Sequence, residues 1–299
     1  MSFTAQDVKA LREQTGVGMM ECKKALVEAD GDMEKAIDVL RERGLAASVK
    51  KSGRTAADGV VYAYTDEAAK VSVLVEVNSE TDFVAKNEKF QAFVADVAKT
   101  IAAENPADVE ALEEMKLAGS DRTVKETVQD LVLAIGENMK IRRFVRTEGI
   151  SSSYIHMGGA VGVLVNFDTT DEVAATEEFK VMGKDVAMQI AAMNPKYWDK
   201  AQVPQADVDK ELAVQVALMD NDPKMASKPA QVKEKIAQGK MAAFYKEICL
   251  LQQEFVRADL FKGDVAGYIA DAAKKLGGKI TFVDAIHYTK GEGIEKKVD

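Results

Sequence analysis

The stretch from Val71 to Ala103 occurs twice in this chain, and a chain built that way must fold around two related units. Val71, Val73, Leu74 and Val75 align with Val161, Val163, Leu164 and Val165 at a spacing of 90 residues. After a single gap, Phe90, Asp96, Val97, Ala98, Ile101, Ala102 and Ala103 align with Phe179, Asp185, Val186, Ala187, Ile190, Ala191 and Ala192. Each copy reads as a valine-rich β run, a turn and a helix with apolar residues at helical spacing, which predicts an α+β subdomain. The period is too long for a solenoid, whose units are shorter, so the repeat marks duplicated domains.

The flanking segments follow from the same periodicity. Ahead of the repeat, three short helical patterns are separated by Gly16-Val17-Gly18 and Asp30-Gly31. Thr4 with Asp7 resembles a shortened capping box, Asp32 starts the third helix, and Gly44 is expected to end it. These helices define a domain over 1–48, and the basic run Lys50-Lys51-Ser52-Gly53-Arg54 predicts a mobile linker over 49–55. The first core subdomain then covers 56–149. Within it, the acidic section 105–120 is expected to be irregular and at the surface, Val124 to Ile135 to be a helix, and Met139 to Val145 a strand. The second core subdomain covers 150–290. It contains a helical hairpin over about 205–247, joined across Asn221-Asp222-Pro223 and Lys228-Pro229, then a helix near Val265 to Leu276 and a strand from Lys279 to Tyr288. A tail, 291–299, completes the reading.

Charge and composition narrow the function. The 299 residues carry 40 basic and 49 acidic side chains, a net charge of −9, which argues against a surface that must neutralise many nucleic-acid phosphates and favours a protein partner. Cys22 and Cys249 stand far apart and outside any CxxC, so neither a disulfide framework nor a cysteine metal site is expected. With only His156 and His287 besides, a multi-ligand metal centre is disfavoured. There is no P-loop string, and Gly158-Gly159-Ala160-Val161-Gly162 precedes a strand where a dinucleotide fingerprint would follow one, so no cofactor is expected. The first residues, Met1 to Asp7, lack the pattern of a signal peptide, and no apolar run approaches the roughly 20 residues of a membrane span. The expectation is a cytoplasmic protein.

One junction stands out. Asn78-Ser79-Glu80-Thr81-Asp82-Phe83-Val84 joins the first β run to its helix, where Thr81 or Asp82 could cap orphan amides. Phe83 has two open readings: it packs backwards as a hydrophobic staple, or it points outward as a wedge. The second copy reads Asp171-Glu172-Val173 at this turn, keeping the acid and losing the aromatic, which suits a feature that only one copy needs. Met19 and Met20 are adaptable contact residues or core filler, and of two neighbours on a helix only one can face fully inward. His156 precedes the second copy's strand, as a surface or hydrogen-bonded residue or as a contact.

Several of these strings together resemble the bacterial translation elongation factor Ts family over essentially the whole chain. Leu11 to Leu26, with Thr15-Gly16-Val17-Gly18-Met19-Met20-Glu21-Cys22 at its centre, is similar to one family signature, and Thr81-Asp82-Phe83-Val84-Ala85-Lys86 to another. Ile135-Gly136-Glu137-Asn138, Tyr154-Ile155-His156, Phe244 to Val256 and Gly291-Glu292-Gly293-Ile294-Glu295-Lys296 follow in the family's order. The resemblance implies a non-enzymatic guanine nucleotide exchange factor for the GTPase elongation factor Tu. It also implies a ubiquitin-associated-like N-terminal domain, a coiled-coil protrusion for the hairpin and a C-terminal module. By the same resemblance, Asp82 and Phe83 intrude near the GTPase's magnesium, Thr81 and Val84 shape their turn, and Met19, Met20 and His156 add partner contacts. Assembly of two factors with two GTPases is a further possibility it raises. Two other readings compete: a general interaction module that does not need Phe83, and a small-molecule enzyme using Glu80, Asp82 and His156 in an apolar pocket.

Overall fold

In the computed structural model, which describes residues 3–295, helices and two small three-stranded sheets alternate along the chain. The chain divides into two compact units, one comprising 1–148, 155–164 and 288–299, the other 149–154 and 165–287. Met1, Ser2 and 296–299, including the last residue of the Gly291 to Lys296 string and the last four residues of the expected tail, lie outside the described residues. Among the described residues no helix is long and apolar enough to cross a membrane.

The first unit opens with helices α1 (Ala5–Thr15), α2 (Met19–Glu28) and α3 (Met33–Lys51). The Thr4 and Asp7 side chains form the expected reciprocal capping box, Gly16 ends α1 in the left-handed region at φ 69°, and Asp32 caps α3 by accepting from the Lys35 amide at 3.1 Å. Leu11, Cys22, Ala25, Leu26, Ala36 and Leu40 close a small apolar core.

Gly44 does not end α3. The helix runs on through it because the glycine serves packing: a Cβ there would lie 3.2 Å from the Gln129 carbonyl of a later helix, α7 (Val124–Ile135). The following basic run is fixed, not mobile. Lys50 and Lys51 form the last turn of α3, Lys140 Nζ donates to the Ser52 carbonyl at 2.9 Å, and the Asn138 side chain donates to that of Arg54 at 2.8 Å. A Gly44→Val substitution forces α3 and α7 apart and is expected to cost about 1–3 kcal/mol in urea unfolding, although valine is the better helix former.

The first sheet has order β1-β2-β3, from β1 (Asp58–Asp66), β2 (Val71–Ser79) and β3 (Met139–Glu148). Both pairings are antiparallel, and a bulge interrupts the β2 to β3 register between Glu76 and Val77. All nine residues of the central strand are buried. Val73, Val75 and Val77 pack in one cluster with Phe90, Val94, Val97, Ala98 and Ile101 of α5 (Glu88–Glu104), which follows the short α4 (Asp82–Ala85). The expected irregular section 105–120 contains a helix, α6 (Val109–Glu114), whose Leu112 is fully buried in this cluster. Its acidic composition described only the outward side.

Strand alternation places Glu76 on the opposite face, fully buried. Its carboxylate accepts from Arg142 Nη1 at 3.0 Å, Arg143 Nε at 2.7 Å, Asn78 Nδ2 at 3.0 Å and the Gly291 amide at 2.7 Å. Burial pushes the carboxyl upward, but the Gly291 amide, Asn78 and the two arginines together outweigh it and hold it below its ordinary 4.5. The Arg143 guanidinium lies 4.0 Å from the ring centroid of Tyr288, and Lys290 pairs with Asp58 at 2.8 Å. The segment from Tyr288 to Glu292 is thus latched to the first sheet.

The second half of the chain repeats the plan. The second sheet has order β4-β5-β6, from β4 (Ile150–His156), β5 (Val161–Asp168) and β6 (Thr281–Thr289). The short α8 (Asp171–Ala174) and the long α9 (Glu177–Met193) stand in the places of α4 and α5. The equivalence reaches the caps, since α5 and α9 both end on an asparagine in the left-handed region, Asn105 and Asn194. It also extends past the stretch visible in the sequence. Helix α12 (Val265–Lys275), Gly277 and β6 match α7, Gly136 and β3 without a gap, Val265 falling on Val124 and Gly277 on Gly136. The hairpin helices α10 (Gln205–Asp220) and α11 (Ala230–Ile248) are inserted between α9 and α12, close to their expected bounds. At the hairpin's root, Asp207 accepts from Tyr197 Oη and Lys196 Nζ, both at 2.6 Å.

Candidate partner-binding site

The junction after β2 is built as a rigid post with an exposed tip. Ser79 is the last residue of the buried central strand, and its hydroxyl donates to the Thr81 carbonyl at 2.9 Å. Three residues after Ser79, α4 begins and makes one turn, with Val84 and Ala85 buried as its foot. Between them Phe83 is 79% exposed. The staple reading is thereby excluded. An exposed ring forgoes the roughly 1.5–3 kcal/mol that burying a large apolar side chain supplies.

The polar neighbours of Phe83 do not cap the turn as the sequence suggested. Thr81 occupies the N-cap position of α4 but makes no cap hydrogen bond. Its hydroxyl instead donates to Glu137 Oε1 at 2.7 Å and its amide to Glu137 Oε2 at 3.0 Å. Asp82 is exposed and bonds Lys86 Nζ at 2.8 Å, which holds its carboxyl below the ordinary range. The Asp58 and Lys290 charges also act on it, the first raising and the second lowering its pKa, so the latched segment lies within electrostatic reach of the tip. Glu80 accepts from the Asn138 amide and pairs with Arg54 at 3.5 Å. Glu137 and Asn138 could have been found from the sequence only through the string Ile135 to Asn138, since nothing local says what they grip.

The other candidates belong to the same unit. Met19 and Met20 are both exposed, at 41% and 64%, because the buried side of α2 is set by Cys22, Ala25 and Leu26; of the two readings, contact residue or core filler, the core-filler one fails for both. Lys89 Nζ donates to the Gly16 carbonyl at 3.2 Å, which joins the loop ahead of Met19 to the first turn of α5. His156 is exposed at the end of β4, and its carbonyl accepts from Gly159 at 3.2 Å and Ala160 at 3.0 Å. The turn beyond it holds Met157, Gly158 and Gly159 all at positive φ, and the Gly159 carbonyl accepts from the Val61 amide at 2.8 Å. Met157, at 78% exposure and φ 47°, is a further exposed apolar side chain, one that the sequence does not single out. No group of three or more histidine, cysteine, aspartate or glutamate side chains that could hold a metal occurs among the described residues. Both cysteines are buried, and burial pushes the Cys249 thiol up to about 11, far from a reactive thiolate.

These features can be set against known proteins. A family model described as elongation factor TS matches residues 80–292. The chain is 47% identical over 300 aligned residues to an elongation factor Ts of Clostridium kluyveri, the match covering 99% of this chain and 95% of that protein. It is 44% identical over 300 residues to an elongation factor Ts of Clostridium perfringens and 45% identical over 299 residues to one of Clostridium tetani, with the same coverage in both. From the repeat, from the tip it carries in one copy only and from these matches along nearly its whole length, the chain belongs to the elongation factor Ts family of translation elongation factors.

Proposed function

We propose that this chain is a cytoplasmic guanine nucleotide exchange factor that binds elongation factor Tu in its GDP form, dislocates the bound magnesium and releases GDP so that GTP can rebind. The observation that carries the reading is the exposure of Phe83 on a fixed turn beside a charged Asp82. Exchange of this kind needs no bond making by the factor. A protein that prefers the nucleotide-free GTPase must, by linkage, weaken nucleotide binding by the same ratio. Magnesium is the vulnerable point, because it demands near-ideal octahedral geometry and neutralises phosphate charge, so a small displacement of its surroundings loses much of its binding. In this reading the Phe83 ring supplies the displacement and the Asp82 carboxylate competes with phosphate for the cation's field. Val84 and Thr81 fix the turn, and Met19, Met20 and His156 extend the contact, with α1 to α3 as a ubiquitin-associated-like domain. Glu80 and Asp82 are already engaged by Asn138, Arg54 and Lys86, which weighs against acid–base work by them.

The test is release of a fluorescent GDP analogue from purified elongation factor Tu at several magnesium concentrations. Acceleration of at least about ten-fold is expected, equivalent to about 1.4 kcal/mol off the barrier to release, with the gain shrinking as magnesium is withdrawn because the factor's main step is then already done. No acceleration at any magnesium concentration overturns the proposal.

A further inference from the structure

The two copies of the repeat supply an internal control for the tip. In both, a helix ends on a glycine in the left-handed region, Gly136 at φ 91° and Gly277 at φ 66°, and the next residue meets the short turn that follows the copy's second strand. In the second copy that next residue is Gly278, where a Cβ would lie 2.6 Å from Val173, the counterpart of Val84. There the joint closes by plain contact, and the Thr170 hydroxyl caps α8 by accepting from the Val173 amide at 3.4 Å. In the first copy the corresponding residue is Glu137. Both of its carboxylate oxygens are spent on Thr81, the counterpart of Thr170, whose hydroxyl is turned away from capping to donate to it.

A joint of this shape therefore closes without a carboxylate, and the carboxylate is present only in the copy that carries the exposed aromatic. Phe83 has little contact of its own to hold it, being 79% exposed, so the direction of its ring is set by the backbone from Thr81 to Val84. That backbone has three anchors: the buried Val84 side chain on one side, and on the other the Ser79 hydroxyl donating to the Thr81 carbonyl and the paired charge-assisted hydrogen bonds from Thr81 to Glu137.

We propose that Glu137 is a positioning residue of the exchange site: acting through Thr81, it holds the Phe83 tip in the orientation that a partner must meet. The inference rests on the exchange reading above for its functional half, while its structural half stands without it. A tip ordered in advance loses less freedom on docking, and a wedge out of line by about 1 Å can lose on the order of a hundred-fold in rate.

The full chain with Glu137→Ala, Glu137→Gln or Thr81→Ala tests both halves. In the free protein, amide hydrogen exchange at Thr81 is expected to rise at least about ten-fold in Glu137→Ala, while the amides of β2 and α5 keep their protection. In fluorescent GDP release from elongation factor Tu, the maximal rate at saturating factor should fall about ten-fold, with the half-saturating concentration changed by less than about three-fold. Glu137→Gln, which keeps one acceptor oxygen, should recover part of both effects, and combining Thr81→Ala with Glu137→Ala should add little to the latter. Unchanged exchange at Thr81, or full exchange activity in Glu137→Ala, overturns the proposal. So does a loss of protection spread evenly over β2 and α5, which marks a merely structural residue. If the unaltered chain does not accelerate release at all, the exchange reading fails, and the amide measurement alone then decides whether Glu137 orders the tip.

Discussion

Phe83→Ala is expected to remove most of the nucleotide release activity and leave the fold untouched. The ring is 79% exposed, so its loss opens no cavity, and surface substitutions of this kind stay within about 0.5 kcal/mol in stability. The same ring, buried in a complex, would rank with the aromatic anchors whose truncation costs about 2 kcal/mol or more, a loss of about thirty-fold in the release assay. The pairing of a large functional effect with an unchanged melting temperature is the signature of an exposed tip. A drop of several degrees in Phe83→Ala would place the ring in packing contacts, and undiminished release would move the mechanism elsewhere, to Met19, Met20 or the turn at His156.

The second large effect lies in stability. Glu76→Gln keeps the shape of a fully buried side chain but removes the charge that two arginines and the Gly291 amide share, and it should cost about 2–4 kcal/mol in urea unfolding at neutral pH. The pH dependence has a definite sign. Because the folded state holds the Glu76 carboxyl below its ordinary 4.5, its contribution is complete above that value and is lost as the pH falls through the lower folded value. The difference between the unaltered chain and Glu76→Gln should therefore be constant near neutrality and close in acid, where the protonated carboxyl and the amide become alike. A gap of the same size at pH 3 and pH 7 would show that the network's charge is not what stabilises it.

What could be read from the sequence was what neighbouring residues decide. The capping box of Thr4 and Asp7, the β runs opening at Val71 and Val161, and the hairpin helices all follow from local pattern, and the repeat itself needed only comparison of the chain with itself. The errors have a shared cause in contacts between distant segments. Gly44 has the local look of a helix stop, yet its lack of a side chain serves the close approach of α7, more than 80 residues on. The section 105–120 looks like acidic surface because its two buried leucines, Leu112 and Leu117, leave little trace among its carboxylates. At the site, the residue types at 81–84 stand out in the sequence, but the partner of Thr81 does not, because Glu137 lies 56 residues on and has no local signature.

The latch at Glu76 also sets an order of events in biosynthesis. A ribosome adding about 5–20 residues per second reaches Gly291, 215 residues after Glu76, only some 10–40 s later. During that interval the first sheet can form its strands and receive Arg142 and Arg143, but one acceptor of the carboxylate at its centre stays open to water. The first unit, begun earliest, is among the last parts of the chain to close. Nascent chains halted before Tyr288 should therefore hold the first sheet in a looser, more acid-sensitive form than released ones, so that the segment beside the tip acts as a completion signal for the fold.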